Sequence, residues 1–296
     1  MPKPFIIVTG ADEAYAEFAA DLIASLDRFT ARLRCDIGLL DYGLAPATRA
    51  TLQRRVSAVV TPSWPFRPDS RFDTQVQGRA FATRPFVPDY FPGYDAYAWI
   101  DADSFVQDPR GILLLMAAAQ PGLAGVVPTV DRSYSHTPAS RDWVRERYRM
   151  AFGPELAQRL STVPYINSGI ICASATSAMW RLWRERFQTA IERWDGNRLC
   201  DQAVLNHVVY LENLPHHRLP SLCNWISHLA LPLADLEHGA LVEPSYPRAP
   251  LYIVANSFND KRSPRRLVRT DGKGTIKCAL TFTSVRKAMI AARAGS

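Results

Sequence analysis

Long apolar runs and cysteines are scarce in this sequence, and each shortage excludes something. The longest uninterrupted apolar stretches, such as Ile112 to Ala119 and Leu229 to Ala234, fall well short of the roughly 20 residues a membrane-spanning helix needs. The opening Met1-Pro2-Lys3-Pro4-Phe5-Ile6-Ile7-Val8 has too short an apolar run for a secretory signal, so a cytoplasmic protein is expected. Five cysteines, Cys35, Cys172, Cys200, Cys223 and Cys278, make an odd count without close pairs, which argues against a zinc cluster or a disulfide framework. Internal repeats, low-complexity tracts and an evident linker are also missing. What remains is a chain of 296 residues, 47% hydrophobic and 21% charged, long enough to bury a sizeable core.

The net charge of +7 is unevenly placed. From Lys261 to Ser296 there are ten Lys or Arg against the single acid Asp271, which leaves 25 basic and 27 acidic residues before it. A nearly neutral body over residues 1–260 and a basic segment over 261–296 are therefore expected. Within that segment Phe282, Val285, Met289 and Ile290 fall on one side of a short basic helix, a pattern suited to peripheral contact with an anionic membrane as well as to simple solvation. The segment lacks the interleaved aromatics of a base-stacking surface, so no nucleic-acid partner is expected.

Hydrophobic periodicity gives an alternating pattern. Phe5 to Val8, Ile37 to Leu40, Ala58 to Val60, Ala96 to Ile100, Leu123 to Val127, Tyr165 to Cys172 and Leu251 to Val254 read as strands. Helices are expected over Tyr15 to Leu26, Ala47 to Val56, Arg141 to Phe152, Ala178 to Trp194 and Asp201 to Leu211. Strand and helix in alternation predict an α/β domain with a mostly parallel sheet. The polar, turn-rich stretch Pro128 to Pro138 reads as a loop available for binding.

In open α/β sheets ligands sit beyond the carboxyl ends of the strands. A strand ending at Ile100 delivers Asp101 and Asp103 of Trp99-Ile100-Asp101-Ala102-Asp103 to such a place. Two carboxylates two residues apart suit a hard divalent cation shared with substrate phosphates. Alone the pair is also compatible with an acidic turn. It has company, however: the stretch from Arg84 to Val106 resembles the corresponding block of family 8 glycosyltransferases, the group of glycogenin and bacterial lipopolysaccharide galactosyl- and glucosyltransferases. Four more blocks resemble that family in the right order. They are Ile7-Val8-Thr9-Gly10-Ala11-Asp12-Glu13-Ala14-Tyr15, Ile166-Asn167-Ser168-Gly169-Ile170-Ile171, Cys200-Asp201-Gln202-Ala203-Val204-Leu205-Asn206, and Leu219-Pro220-Ser221-Leu222-Cys223-Asn224-Trp225.

The resemblance implies a GT-A fold, in which a Rossmann-like nucleotide-binding half is fused to an acceptor-binding half. It also implies a UDP-sugar donor, a Mn2+ (or Mg2+) cofactor, a glycan, lipid-linked or protein acceptor, and transfer of a hexose with retention. Thr9, Ala11, Asp12 and Tyr15 would line the uridine pocket. Arg84, Ala102 and Lys261 would lie near the donor's phosphates or sugar, and Asn167, Asp201 and Gln202 would surround the transferring sugar. Asp101 and Asp103 would hold the metal. A late histidine usually completes that metal site, but aligning on Lys261 places Ala255 there. Asn256, a water or His228 is left as the third ligand, in that order.

Local readings compete at several positions. Asp12 and Asp201 each suit a helix N-cap, Tyr15 fits the apolar stripe of its helix, and Arg84 before Pro85 reads as a surface charge on an extended segment. Asn167, in an apolar β-rich run, is harder to place without a function. A haloacid-dehalogenase phosphatase also uses Asp-x-Asp at a strand end, but after its first strand and not a fourth. A domain that binds nucleotide-sugars or glycans without transfer is the non-enzymatic alternative.

Overall fold

The computed structural model describes residues 3–66, 76–192 and 201–295. Along the chain run β1 (Lys3–Ala11), β2 (Asp36–Asp41), β3 (Ala58–Val60), β4 (Tyr94–Ile100), β5 (Ser104–Val106), β6 (Ala124–Pro128), β7 (Ile166–Ser174) and β8 (His216–Arg218). All of these but β5 form one sheet in the order β3-β2-β1-β4-β7-β6-β8. Pairing is parallel between β1 and β2, β1 and β4, β2 and β3, and β6 and β8. Only β7 is reversed, running antiparallel to both β4 and β6.

Both faces of the sheet are covered, which is why its central strands carry continuous apolar runs. Ile6, Ile7 and Val8 of β1 are fully buried. On one face Leu22, Ile23 and Leu26 of the helix Ala16–Leu26 pack against Ile7 and Leu39; on the other, Trp183 and Phe187 of the helix Ala178–Glu192 join Ile6, Val8 and Trp99. The helix expected over 178–194 is thus seen to Glu192, and its last two residues lie outside the described ones, as does Cys200. Cys35, Cys172, Cys223 and Cys278 are buried free thiols.

The reversal of β7 positions the site. Ile100 at the end of β4 pairs with Ile170, so Asn167, Ser168 and Gly169 at the start of β7 arrive beside Asp101. A parallel β7 would have carried them to the far edge of the sheet. A smaller sheet flanks this point, formed by β5 between β4 and the next helix together with β9 (Trp225–Ile226) and, later in the chain, Ile253–Ala255. That last strand pairs antiparallel with β5 and parallel with β9.

Residues 261–295 do not form a detached tail. Arg265–Val268 and Thr275–Cys278 make an antiparallel hairpin, and the helix Phe282–Ala294 follows, capped by the Thr281 hydroxyl accepting from Ser284 N. Phe282, Val285 and Met289 are buried in a cluster with Phe105, Trp225, Leu236 and Leu267. Asp21 of the helix Ala16–Leu26 accepts the backbone N–H groups of Phe282 and Thr283, and Arg293 donates to the carbonyls of Leu236 and Glu237. The side expected to meet a membrane therefore packs against the body. Only Ile290 of the four apolar residues is exposed, at 62%. Among the described residues no helix is long and apolar enough to cross a membrane.

This packing predicts a contrast between adjacent residues. Met289→Ala should cost about 2–5 kcal/mol, the range for truncating a buried methionine. Ile290→Ala should change stability by no more than about 0.5 kcal/mol, as exposed substitutions usually do. Urea unfolding of the two variants measures both.

Candidate active site

The chain leaves the sheet after Ile100 in a tight turn, with Ser104 N donating to the Asp101 carbonyl at 3.0 Å. Neighbouring elements fix the turn from two sides. Asp101 N donates to the Gly169 carbonyl (2.8 Å), and the Asp103 carbonyl accepts from Asn256 N (2.9 Å). Ala102 between them is buried in the core, so the two carboxylates point away from it and towards the cleft.

Behind this turn stands Arg84, which is 6% exposed and no surface charge. It does not follow an extended segment either: the helix Val76–Thr83 runs directly into a single 3-10 turn, Arg84–Phe86. Thr83 at the junction is held by hydrogen bonds to the Arg79 carbonyl (2.9 Å) and the Tyr42 hydroxyl (2.7 Å). From there the guanidinium reaches three partners. Nη1 donates to Asp201 Oδ2 (2.5 Å) and Ser168 Oγ (2.7 Å), and Nη2 to Asp101 Oδ1 (2.6 Å). Its carbon lies 5.1 Å from the centre of the Trp99 ring, and Trp99 Nε1 also donates to Asp101 Oδ1 (2.7 Å). Burial alone lowers the guanidinium's pKa, but Asp101 and Asp201 more than reverse this and leave it raised. Buried ion pairs persist when extra hydrogen bonds offset desolvation; Ser168 and Trp99 supply some here, while Arg84 Nε and Asp201 Oδ1 stay without a protein partner.

Asp201 opens the helix Asp201–Leu211 and is 1% exposed. Its carboxylate serves Arg84 and Ser168 (2.9 Å) and is more than a local cap. Burial raises its pKa, opposed mainly by Arg84. Next to it, Gln202 Oε1 accepts from Asn167 Nδ2 (2.6 Å) and Ser168 N (3.3 Å). Asn167 Oδ1 in turn accepts from Gly169 N (2.9 Å) and Asn224 Nδ2 (3.1 Å). A Cβ on Gly169 would lie 2.7 Å from Asn167 Oδ1 and 2.8 Å from Asp101 Oδ2, closer than atoms pack, so glycine is required by the close approach. The strand-start motif thus brings together Asn167, Gln202, Asp101 and Asp201, with Asp201 buried behind the cleft lining. It adds Ser168 and Asn224, which lay inside the quoted blocks without being singled out.

The second carboxylate has a different partner. Lys261 Nζ sits 2.8 Å from Asp103 Oδ2 and also donates to the carbonyls of Asn256 (2.9 Å) and Phe258 (3.1 Å). Burial and the charge of Asp101 push the Asp103 carboxyl up, and Lys261 opposes them. Asn256, expected as a third metal ligand, is 1% exposed, and its amide donates to the Lys261 carbonyl (2.8 Å). It braces the 256–261 loop and does not line the cleft. His228 does line it, with Nδ1 sharing a hydrogen bond with Ser257 Oγ (2.8 Å), and burial with Lys261 lowers its pKa. Yet no three His, Cys, Asp or Glu side chains among the described residues converge as a metal site. The donor set is therefore two hard carboxylates. This fits magnesium or manganese, ions that often keep waters and take substrate phosphates alongside one or two carboxylates.

The residues expected around uridine sit less openly. Thr9 and Ala11 are buried in β1. Asp12 caps the 3-10 turn Glu13–Tyr15 by accepting from Tyr15 N (2.9 Å), so the capping reading holds. Tyr15 packs on Phe18 with ring centres 5.7 Å apart. Its hydroxyl is pushed up by burial, while the charges of Lys261, Asp103 and Asp101 also reach it. Tyr15 therefore borders the acid pair but belongs to the helix's apolar stripe. None of these four lines the large cleft, about 1390 Å³, whose walls include Asp101, Asp103, Asn167, Gln202, His228 and Lys261.

No family model and no curated protein matches the sequence, but solved structures do match the fold. The galactosyltransferase LgtC, in complex with donor and acceptor sugar analogs, superposes with a TM-score of 0.55 at 15% identity, over 97% of this chain and 95% of its own. Mouse xyloside xylosyltransferase 1 in its apo form gives 0.50 at 14% identity, over 88% and 99%. The bifunctional glycosyltransferase WbbM gives 0.53 at 16% identity, over 88% of this chain and 46% of its own. These likenesses show the expected fold class, a mixed α/β GT-A fold around a mostly parallel central sheet.

Arg84→Met removes the charge shared by Asp101 and Asp201 and should destabilise the protein by about 3–5 kcal/mol, as breaking a buried pair does. In that background Asp201→Asn should recover part of the loss, because the stranded carboxylate is then neutral. Urea unfolding of the single and double variants gives the coupling; simple additivity would show that the pair is not the source of the cost.

Proposed function

We propose that this protein is a hexosyltransferase that takes a sugar from a nucleotide-sugar donor, a UDP-sugar, and delivers it to a saccharide-bearing acceptor. The observation that carries this reading is the meeting of Asp101 and Asp103, at the carboxyl end of β4, with Asn167 and Gln202 on one cleft wall. The fold is one that LgtC uses with donor and acceptor sugar analogs bound, and the cleft here exceeds the roughly 300–1,000 Å³ of a single small-molecule site.

In this reading Asp101 and Asp103 hold Mn2+ or Mg2+. Such an ion supplies charge stabilisation for a diphosphate leaving group. Arg84 and Trp99 fix Asp101 so that one carboxylate oxygen remains directed past Gly169. Lys261, already drawn to Asp103, is placed to meet the diphosphate. Asn167 and Gln202 offer amide groups to the sugar's hydroxyls, while the Asp201 carboxylate adds negative potential near the anomeric carbon, where positive charge develops. Transfer with retention follows the family resemblance. A domain that binds the nucleotide-sugar without transfer is the second reading, favoured by the absence of a third carboxylate or imidazole ligand among the described residues.

A screen of UDP-sugars should reveal manganese-dependent release of UDP, and Asp103→Asn should lower it by about 100-fold or more, the scale of losing a preorganised charge at the reacting centre. Tight binding with no turnover would favour the binding module, and full activity in Asp103→Asn would defeat the metal assignment.

The acid pair also sets a pH dependence. Because burial first, and the charge of Asp101 second, hold the folded pKa of Asp103 above its ordinary value of 3.8, ionising it costs stability; that cost is absent below 3.8 and builds up to the folded pKa as pH rises. A cation binds the deprotonated pair and relieves this cost. The rise in Tm caused by manganese should therefore be larger at pH 7.5 than at pH 3.8, the ordinary value of the carboxyl; an equal rise at both would place the ion elsewhere.

A further inference from the structure

The far wall of the cleft is built from different chemistry than the acid pair. It is formed by the helix Pro138–Phe152, with residues of the 129–137 loop at its mouth. Arg141, Arg145 and Arg149 recur every four residues and so share one side of that helix, and all three line the cleft. The acids beside two of them do not. Asp142 pairs with Arg145 (2.7 Å) and Glu146 with Arg149 (2.6 Å), both in exposed positions where such pairs contribute only about 0–1 kcal/mol. Their guanidinium groups can exchange those partners for a ligand at little cost. Arg141 makes a long contact of 3.5 Å to the His136 carbonyl.

Trp143 lies two residues from Arg141 and from Arg145, and so on another side of the helix, where the Arg147 guanidinium stands 5.0 Å from the centre of its ring. Trp143 is 45% exposed and lines the same cleft, as does Val130 at 56%. Each face of an indole presents the negative side of its quadrupole, and at 45% exposure part of this one stays open to the cleft beside the Arg147 contact. The weakly positive C–H face of a pyranose ring is complementary to it. The planar guanidinium groups of Arg141 and Arg145, further round the helix, suit bidentate contact with a carboxylate or phosphate.

We propose that this wall is the acceptor subsite and that it takes a saccharide bearing an anionic substituent, with one ring stacked on Trp143 and the anion held by Arg141 and Arg145. The identification as an acceptor subsite rests on the glycosyltransfer reading; the ligand class rests on the wall alone. The size of the cleft leaves room for this ligand beside a donor at the acid pair. A neutral acceptor would leave the arginine row without a role, and a purely apolar one would leave it desolvated.

The test is direct binding by calorimetry of three oligosaccharide classes of equal length: neutral, uronic-acid-containing and phosphorylated. Wild-type protein should bind at least one anionic class about tenfold or more tightly than the neutral class, and which one identifies the anion. Arg141→Gln/Arg145→Gln should abolish that preference, and added salt should weaken it. Trp143→Ala should weaken neutral and anionic ligands alike. All three positions are exposed, so the variants should retain the wild-type Tm. Equal binding of all classes, no binding of any, or a preference that survives the double arginine variant would overturn the proposal. Wild-type release of UDP from the donor tests the glycosyltransfer reading separately, since it needs no acceptor.

Discussion

One buried guanidinium holds this site in register. Arg84 bridges Asp101 after β4 and Asp201 at the head of a helix, with Ser168 at the start of β7 between them. These residues come from four separate stretches of chain, and every one has a charge or hydroxyl that burial would penalise without the others. The arginine makes their convergence tolerable. The carboxylates keep it charged, and the Trp99 ring beneath it supplies a surface that neither competes for the donors nor admits water. A lysine could not replace it, because a point charge cannot reach Asp101 and Asp201 through separate nitrogens of one rigid fork.

The reversal of β7 is the geometric partner of that interaction. Antiparallel pairing with β4 brings the amino end of one strand to the carboxyl end of the other, so Asn167 and Gly169 face the acid turn with no intervening loop. The hydrogen-bond chain from Asn224 through Asn167 to Gln202 then fixes the amide orientations. The oxygens of Asn167 and Gln202 each accept from two donors, which favours one arrangement of these two amides.

Much of the frame was legible in sequence because its signals are local. Apolar runs at β1, β2 and β4 and the stripe from Phe18 to Leu26 obey simple periods, and the order of five short blocks pointed to GT-A before any contact was visible. The buried role of Arg84 was not legible. Pro85 after it suggests a surface charge on an extended segment, whereas its partners lie 17, 84 and 117 residues away. Asn256 differs for the opposite reason: its position relative to Lys261 suggested a ligand, but its buried amide nitrogen donates to the Lys261 carbonyl of its own loop, and the residue is not among those that line the cleft. Only the direction of the side chain, which spacing does not encode, separates these outcomes.

The basic C-terminal segment shows how far amphipathicity alone can be read. A helix with Phe282, Val285 and Met289 on one side and Arg286, Lys287 and Arg293 elsewhere fits a membrane surface and a protein core equally well, since both present an apolar medium to one face. The deciding term is what else seeks that medium. Phe105, Trp225 and Leu267 come from short strands that cannot bury their own side chains, and the helix is the element that covers them. Its capping hydrogen bonds to Asp21 and the reach of Arg293 to the Leu236 carbonyl then fix it in place. The positive charges remain on the outer side, and their effect is on the field around the protein. The arginines that face a cavity belong instead to the helix Pro138–Phe152, whose overall charge gave no hint of it. There acids and arginines alternate in sequence, but only the arginines line the cleft, and this gives it a positive stretch besides its acidic pair.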